Sequence, residues 1–289
     1  MKIAILGASG VIGSALVERL RGEHEVVAVA RSARDDSDAN WVAADLTDEQ
    51  GAARALDGVD VAVHLVHSLG SGDYEQIDVR IAENVARGAA AAGVSQIIYL
   101  GGLGDDSAEL SKHLRSRRET GLALARGPVP VTTLRAGMVV GKGSAAFETI
   151  VALVDRLPAM ICPRWVSVPT QPIALADVLE VISGVVGLEA AYGESFDLGG
   201  PEVMTYRGMI DRIASIRGRR PLIIEVPVLT PRLSSWWLHL VTPVKASVAR
   251  PLIDGLRNPT VARDDRIHEL VDTPATPFDD AVRAALREQ

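Results

Sequence analysis

Lys2-Ile3-Ala4-Ile5-Leu6 runs directly into Gly7-Ala8-Ser9-Gly10-Val11-Ile12-Gly13. The first run has the length and apolar character of a buried strand, and Val11–Arg21 continues with helical periodicity. A strand that turns at once into a helix needs particular residues at the turn. Gly7 permits the tight bend, Gly10 lets the backbone approach a ligand, and Gly13 lets the helix lie close on the strand. The backbone amides of Ala8, Ser9, Val11 and Ile12 then crowd the helix start, where the dipole favours an anion such as a pyrophosphate. The stretch predicts a dinucleotide site.

The surrounding sequence repeats the same rhythm. Glu25–Ala30, Trp41–Ala44, Val59–Leu65, Gln96–Leu100 and Val131–Ala136 read as further strands, continuous and apolar as in a sheet covered on both faces. Between them, Glu49–Leu56, Tyr74–Ala92 and Ser111–Ala125 read as helices. Strand–helix alternation of this kind predicts an α/β fold, a doubly wound parallel sheet of the Rossmann type. After Gly141 the rhythm loosens. Ala145–Leu157 and Ala176–Val186 read as helices and Gly193–Leu198 as a strand. Tyr206–Ile216, Leu233–Val241, Lys245–Gly255, Asp264–Val271 and Phe278–Arg287 follow as short helices set apart by prolines. The expected division is a nucleotide-binding domain over 1–141 and about 171–190. About 142–170 and 191–289 then form a smaller, mostly helical lobe over the carboxyl edge of the sheet.

The bulk properties narrow the function. The 289 residues have room for one large domain, or one large and one small. A net charge of −7 argues against general nucleic-acid binding, which leaves a basic footprint. The single cysteine, Cys162, excludes an internal disulfide and a cysteine-based metal cluster, and its apolar surroundings mark it as a core residue. No run approaches the roughly 18 apolar residues of a membrane-spanning helix. Strand-like sequence from Lys2 leaves no room for a signal peptide, so the expected compartment is the cytoplasm.

The end of the second strand selects the cofactor. An acidic residue there would hold the ribose hydroxyls of NAD; this chain has Arg31-Ser32, then Arg34. A guanidinium grips a 2′-phosphate through charge-assisted hydrogen bonds. NADP(H) is therefore expected over NAD(H). Asp45-Leu46 after the third strand is placed to meet the adenine, although an aspartate there suits a helix cap equally well. By topology Leu65, Val66 and His67 line the cofactor cleft.

The chain resembles short-chain dehydrogenases/reductases of the extended or atypical kind. The likeness rests on the glycine turn, Asp45-Leu46, Ile77-Asp78-Val79 with Asn84-Val85, Ile97–Leu100 and Leu134-Arg135-Ala136. It continues in Gln171-Pro172-Ile173, Asp177-Val178 and Leu198–Glu202. The resemblance implies cofactor contacts at Gly101, Ala136, Gly137 and Met138. It also implies relatives among NmrA-like regulators and a complex I accessory subunit, neither dependent on obvious catalysis. Catalytic members of the family carry a tyrosine and, four residues on, a lysine. His113 and Arg117 stand in their place here, Asp78 in that of the family's helix asparagine, and Gly101-Gly102 where a serine usually follows the fifth strand.

The i, i+4 spacing puts His113 and Arg117 on one helical face. An imidazole with a pKa near 6.5 would serve as a proton donor. Arginine stays charged, so it would hold the ribose without relaying protons. Against this, the run Lys112, Arg115, Arg117, Arg118 reads equally as a solvated basic face. Asp78 is suited to restrain its helix or to meet Arg117. His64 and His67, three apart on an extended segment, face opposite sides and do not form a metal site.

In the second lobe, Leu233, Trp236, Trp237, Leu240 and Val241 fall on one helical face, suited to core, pocket wall, partner or peripheral membrane contact. The leading expectation is an NADP(H)-dependent reductase of a small apolar substrate such as a quinone or an enone. A non-catalytic NADP(H) sensor acting on a regulatory protein partner competes with it. The epimerase or dehydratase that the resemblance invites leans hardest on the replaced tyrosine. Oligomeric state is left open by the sequence.

Overall fold

Side chains alternate along β1 (Lys2–Leu6): Ile3 and Ile5 enter one apolar layer, Ala4 and Leu6 the other. All four are fully buried, as a strand at the centre of a covered sheet requires. In this computed structural model, residues 1–32, 40–69, 71–104, 109–226, 255–273 and 275–287 are described. β1 is joined by β2 (Glu25–Ala30), β3 (Asn40–Ala43), β4 (Val61–His64), β5 (Gln96–Gly102), β6 (Val131–Ala136) and β11 (Ser195–Leu198). These seven strands pair in parallel in the order β11-β6-β5-β4-β1-β2-β3. The chain winds outward from β1 in one direction and returns to wind the other way from β4. The carboxyl ends of β1 and β4 therefore diverge into a crevice.

Each face has its own helices. α1 (Val11–Leu20) and α6 (Leu175–Gly184) cover the side of Ile3 and Ile5. α2 (Glu49–Leu56), α3 (Tyr74–Ala92) and α4 (Lys112–Ala125) cover the side of Ala4 and Leu6. Their ends are fixed locally. Asp48 accepts from Gly51 N at 3.0 Å to cap α2, Ser111 accepts from Leu114 N at 3.3 Å to cap α4, and Gly93 closes α3 at φ +72°.

A third apolar cluster belongs to the later part of the chain. It joins α5 (Ala145–Arg156), α7 (Tyr206–Ile216) and α9 (Phe278–Arg287). Short strand pairs stitch it to the sheet domain: β7 (Val139–Val140) with β10 (Ile173–Ala174), and β9 (Pro169–Thr170) with β12 (Met204–Thr205). β8 (Ala159–Pro163) pairs with β13 (Leu222–Val226).

Three sequence expectations shift. β11 lies on the edge of the main sheet beside β6, so the sheet reaches past the boundary expected near 190. The helix expected over Asp264–Val271 shrinks to α8 (Ile267–Leu270). Asp264 instead accepts from Arg266 N and its guanidinium, a local turn that competes with a helical start. The small lobe also contains the paired short strands, which its alternating but brief apolar runs did not announce. Helix candidate Leu233–Val241, with Trp236 and Trp237, and all of Lys245–Gly255 except Gly255 lie outside the described residues. Among the described residues, no helix is long and apolar enough to cross a membrane.

At the amino edge of the sheet, one buried side chain joins three segments. Gln96 donates to Thr132 Oγ1 at 2.8 Å and to the Val185 carbonyl at 2.9 Å, and it accepts from Gly187 N at 2.8 Å. Gln96→Leu removes the partner of the Gly187 amide and one of the two donors to the Val185 carbonyl, which Leu188 N also reaches at 3.2 Å. It should cost about 2–3 kcal/mol in urea unfolding while leaving nucleotide affinity at the opposite edge unchanged.

Candidate cofactor and substrate cleft

The glycine turn sits where β1 and β4 part. Gly7 adopts φ +92°, and a Cβ there would lie 3.2 Å from the Leu65 carbonyl carbon. A Cβ on Gly13 would lie 2.3 Å from the Gly7 oxygen, closer than any side chain tolerates. The amides of Gly7 and Ala8 both donate to the Val29 carbonyl at 3.0 Å, tying the turn to β2. Gly10 is the N-cap of α1, with no side-chain cap and no acid in the first turn. The first amides of α1 thus keep their donors and their dipole for an anion. These features fit the pyrophosphate of a dinucleotide.

From this turn a cleft of about 480 Å³ runs across the carboxyl edge of the sheet. That lies within the usual range for small-molecule sites. Gly7, Gly10, Val11, Ile12, Gly13 and Leu65 line it at the turn; His67, Gly101, Ala136, Gly137, Met138, His113 and Arg117 line the rest. The remaining expected residues stand around it. Ala8 is fully buried beneath the turn, and Ser9 is exposed beside it. Leu46 points into the core instead of toward a base, because α2 and α3 close over it. Val66 packs into the same core, and its carbonyl faces Arg117. Arg31 and Ser32 are exposed at the end of β2, and Arg34 lies outside the described residues.

Asp45 does not cap α2; Asp48 does. The Asp45 carboxylate accepts from Thr47 N at 2.9 Å and Thr47 Oγ1 at 2.7 Å. Those bonds, aided by the charges of Arg80 and Arg31, hold it below the usual carboxylate range. Arg80 was not legible as a neighbour of this loop, since it comes from α3. One turn further along that helix, Asn84 donates to the Leu46 carbonyl at 3.0 Å and fixes the approach.

At the far end Arg117 dominates. It is 8% exposed, donates to the Val66 carbonyl at 3.4 Å and makes a short hydrogen bond to the Leu100 carbonyl. Its guanidinium carbon lies 5.1 Å from the Tyr99 ring centre, and the Tyr99 hydroxyl donates back to the Arg117 carbonyl at 2.7 Å. The forked cation thus joins the ends of β4 and β5, where a ribose-holding role had been expected of it. Asp78, almost fully buried on α3, has its pKa raised by burial; Ser68, Arg117 and Ser116 oppose that shift.

The same cation sets the histidines. Burial first, then Arg117 and His67, depress His113 to about 3, in place of the 6.5 of a free imidazole. His113 is therefore neutral near pH 7 and is no imidazolium donor. His64 is fully buried against Tyr99, their ring centres 5.7 Å apart, and it too is pushed down to about 3 by burial and then by Arg117. His67 stands open to the cleft on the other side of the strand end. The cleft wall and Arg117 lower its pKa, a shift that the ring's access to solvent tempers.

The sequence did not point to Ser144, Leu175, Tyr206, Leu256 and Thr260, which also line the cleft. These residues come from widely separated segments, and only folding assembles them.

Comparison with known proteins agrees with this geometry. Residues 7–127 match a protein family described as NAD(P)H-binding. The uncharacterized protein Rv2047c of Mycobacterium tuberculosis is 30% identical over 238 residues, which is 79% of this chain and 25% of that protein. The chain thus spans about a quarter of the length of the curated relatives it matches. Among solved structures, a nucleoside-diphosphate-sugar epimerase from Staphylococcus aureus superposes with a TM-score of 0.78. It shares 15% identity and is covered over 98% of this chain and 100% of its own. A Citrobacter triphenylmethane reductase, solved with NADP(H), gives a TM-score of 0.77 at 17% identity over 99% and 100% of the two chains. Residues 7–127 are thus similar to NAD(P)H-binding domains, and the whole chain shares the Rossmann fold of these structures.

The buried histidines predict a pH response. The unfolded chain takes up a proton at His64 near pH 6.5, whereas the folded state resists until about 3. The folded protein is thus at its full stability, on this account, above 6.5 and loses it as the pH falls toward 3. Between pH 7 and pH 5 His64 alone should cost on the order of 2 kcal/mol in urea unfolding. His64→Phe should remove that part of the slope.

Proposed function

We propose that the chain is an oxidoreductase that prefers NADP(H) to NAD(H) and reduces a small, apolar, conjugated acceptor of the quinone or enone type. The observation that carries this reading is the continuity of one largely apolar cleft from the uncapped start of α1 to the residues just past β6. NADPH, when bound, supplies a hydride. The chain's own residues bind and orient. The amides after Gly10 hold the pyrophosphate, and Arg31, with Ser32 and Arg34, holds the 2′-phosphate. Leu103, Met138 and Leu256 exclude water from the acceptor end, where orientation within about 3–3.5 Å of the reacting atom carries much of the rate. A conjugated acceptor delocalises the charge it gains, so it asks less of an acid than an isolated ketone does. Such chemistry suits a site in which His113 and Arg117 stand where the resemblance puts tyrosine and lysine.

One observation favours a second reading. Arg117 is engaged by two backbone carbonyls and His113 is held neutral, so neither is poised to move a proton. A cofactor sensor that changes its affinity for a protein partner, without turnover, requires no such group.

Calorimetric titration with NADPH and NADH tests the cofactor assignment. Arg31→Ala should weaken NADPH at least tenfold, the worth of a charge-assisted hydrogen bond, and leave NADH unchanged. Equal affinity for the two nucleotides would overturn the preference. Steady NADPH oxidation with quinones would favour the reductase; inertness across a broad acceptor panel, with cofactor-dependent capture of a partner, would favour the sensor.

A further inference from the structure

Three hydroxyls meet on the wall of the cleft opposite the sheet. Thr170 and Thr260 lie 2.7 Å apart, oxygen to oxygen, and the Tyr206 hydroxyl lies within hydrogen-bonding reach of both. All three residues are buried, and Tyr206 and Thr260 line the cleft itself. Their backbones are fixed. Thr170 and Thr260 form a parallel bridge, Thr260 N donates to the Pro169 carbonyl at 3.2 Å, and Gln171 N donates to the Thr260 carbonyl at 2.8 Å. Tyr206 is the first residue of α7, whose cap Thr205 accepts from Gly208 N at 3.0 Å. Trp165 packs edge-on against the phenol ring, 6.3 Å between centres.

The group also stands close to the reactive end of the sheet. A Cβ on Gly137, just past β6, would lie 3.5 Å from Thr260 Oγ1. Two other polar side chains that line the cleft are committed, whereas a third, His113, has no partner at Nδ1. Ser144 Oγ donates to the Val139 carbonyl at 2.7 Å, and Arg117 serves Val66 and Leu100. A cluster of hydroxyls can redirect its protons by bond rotation alone. Thr170 can donate to Thr260, Thr260 to Tyr206, and Tyr206 to an oxygen in the cleft, each bond polarising the next.

We infer that Tyr206, backed by Thr170 and Thr260, is the hydrogen-bond donor that holds the carbonyl oxygen of the acceptor in this cleft. The inference rests on the reading of the chain as a reductase of apolar conjugated carbonyl compounds and names the residue that recognises them. The phenol binds and orients without giving up its proton, since burial raises its pKa. A donor on that oxygen would stabilise the negative charge it gains as a hydride reaches the conjugated carbon, and the proton that completes the reduction is taken from bulk water as the product leaves the cleft.

The test uses menadione as the quinone and naphthalene as a ring without oxygens, each titrated into the full chain with saturating NADP+ so that no turnover occurs. Tyr206→Phe should raise the menadione Kd about tenfold, the value of one buried hydrogen bond, and leave naphthalene and NADP+ binding unchanged. Thr170→Val, which keeps the phenol but removes its backing, should give a smaller loss of the same selectivity. Equal losses for menadione and naphthalene, or no loss for either, would mean the ring only shapes the wall and would overturn the inference while leaving the reductase reading intact. Failure of the unaltered chain to bind menadione at all, with NADP+ bound, would overturn both.

Discussion

The close crossing of the first turn over itself is the constraint on which the rest of the structure depends. A side chain on Gly13 would stand 2.3 Å from the Gly7 oxygen, so α1 can lie against β1 only with hydrogen at that position. This approach aims the start of α1 at the crevice between β1 and β4, and Gly7 in turn rests on the backbone of Leu65 and Val66. Moving α1 outward by the width of a methyl group would separate an anion site from the strand ends that form the floor of the cleft. Packing and function share one geometric requirement here.

A second constraint lies at the other end of the floor. Arg117 places a permanent charge where the carboxyl ends of β4 and β5 leave carbonyls without strand partners. Its fork satisfies both, and the Tyr99 ring and the field of Asp78 help to offset the cost of burying it. The charge also has consequences for its neighbours. Every imidazole within reach is disfavoured as a cation, so His64 and His113 are neutral by position. The chemistry open to this end of the cleft is accordingly hydrogen bonding and orientation around the fixed charge of Arg117.

The small lobe contributes what the sheet does not. Its apolar cluster of α5, α7 and α9 holds Tyr206 at the start of a capped helix, and the bridge between Thr170 and Thr260 brings two distant hydroxyls beneath it. The lobe thereby supplies a polar spot in an otherwise apolar wall. Polar groups in a dry cleft are few, and each fixes the orientation of whatever binds there.

Much of the sheet domain was legible in the sequence, because its determinants are local. Strand runs and helix periods such as Glu49–Leu56 and Tyr74–Ala92 depend on neighbours within a few residues, and the glycine turn is a contiguous backbone requirement. Leu46 and Asp45 were harder. Their spacing suggested contact with a base or a cap; Asp48 takes the cap, and packing buries the Leu46 side chain. β11 escaped the expected boundary because a parallel edge strand joins its sheet through a long crossover that no local pattern records. By itself the sequence determined the doubly wound fold, the dinucleotide turn and the residues that stand at the ends of the strands. Only the tertiary structure decided that Arg117 faces carbonyls, that His113 is neutral, and that Tyr206, Thr170 and Thr260 meet. Burial and long-range proximity are properties of the assembled chain, and they alone set protonation states and bring distant hydroxyls into hydrogen-bonding reach.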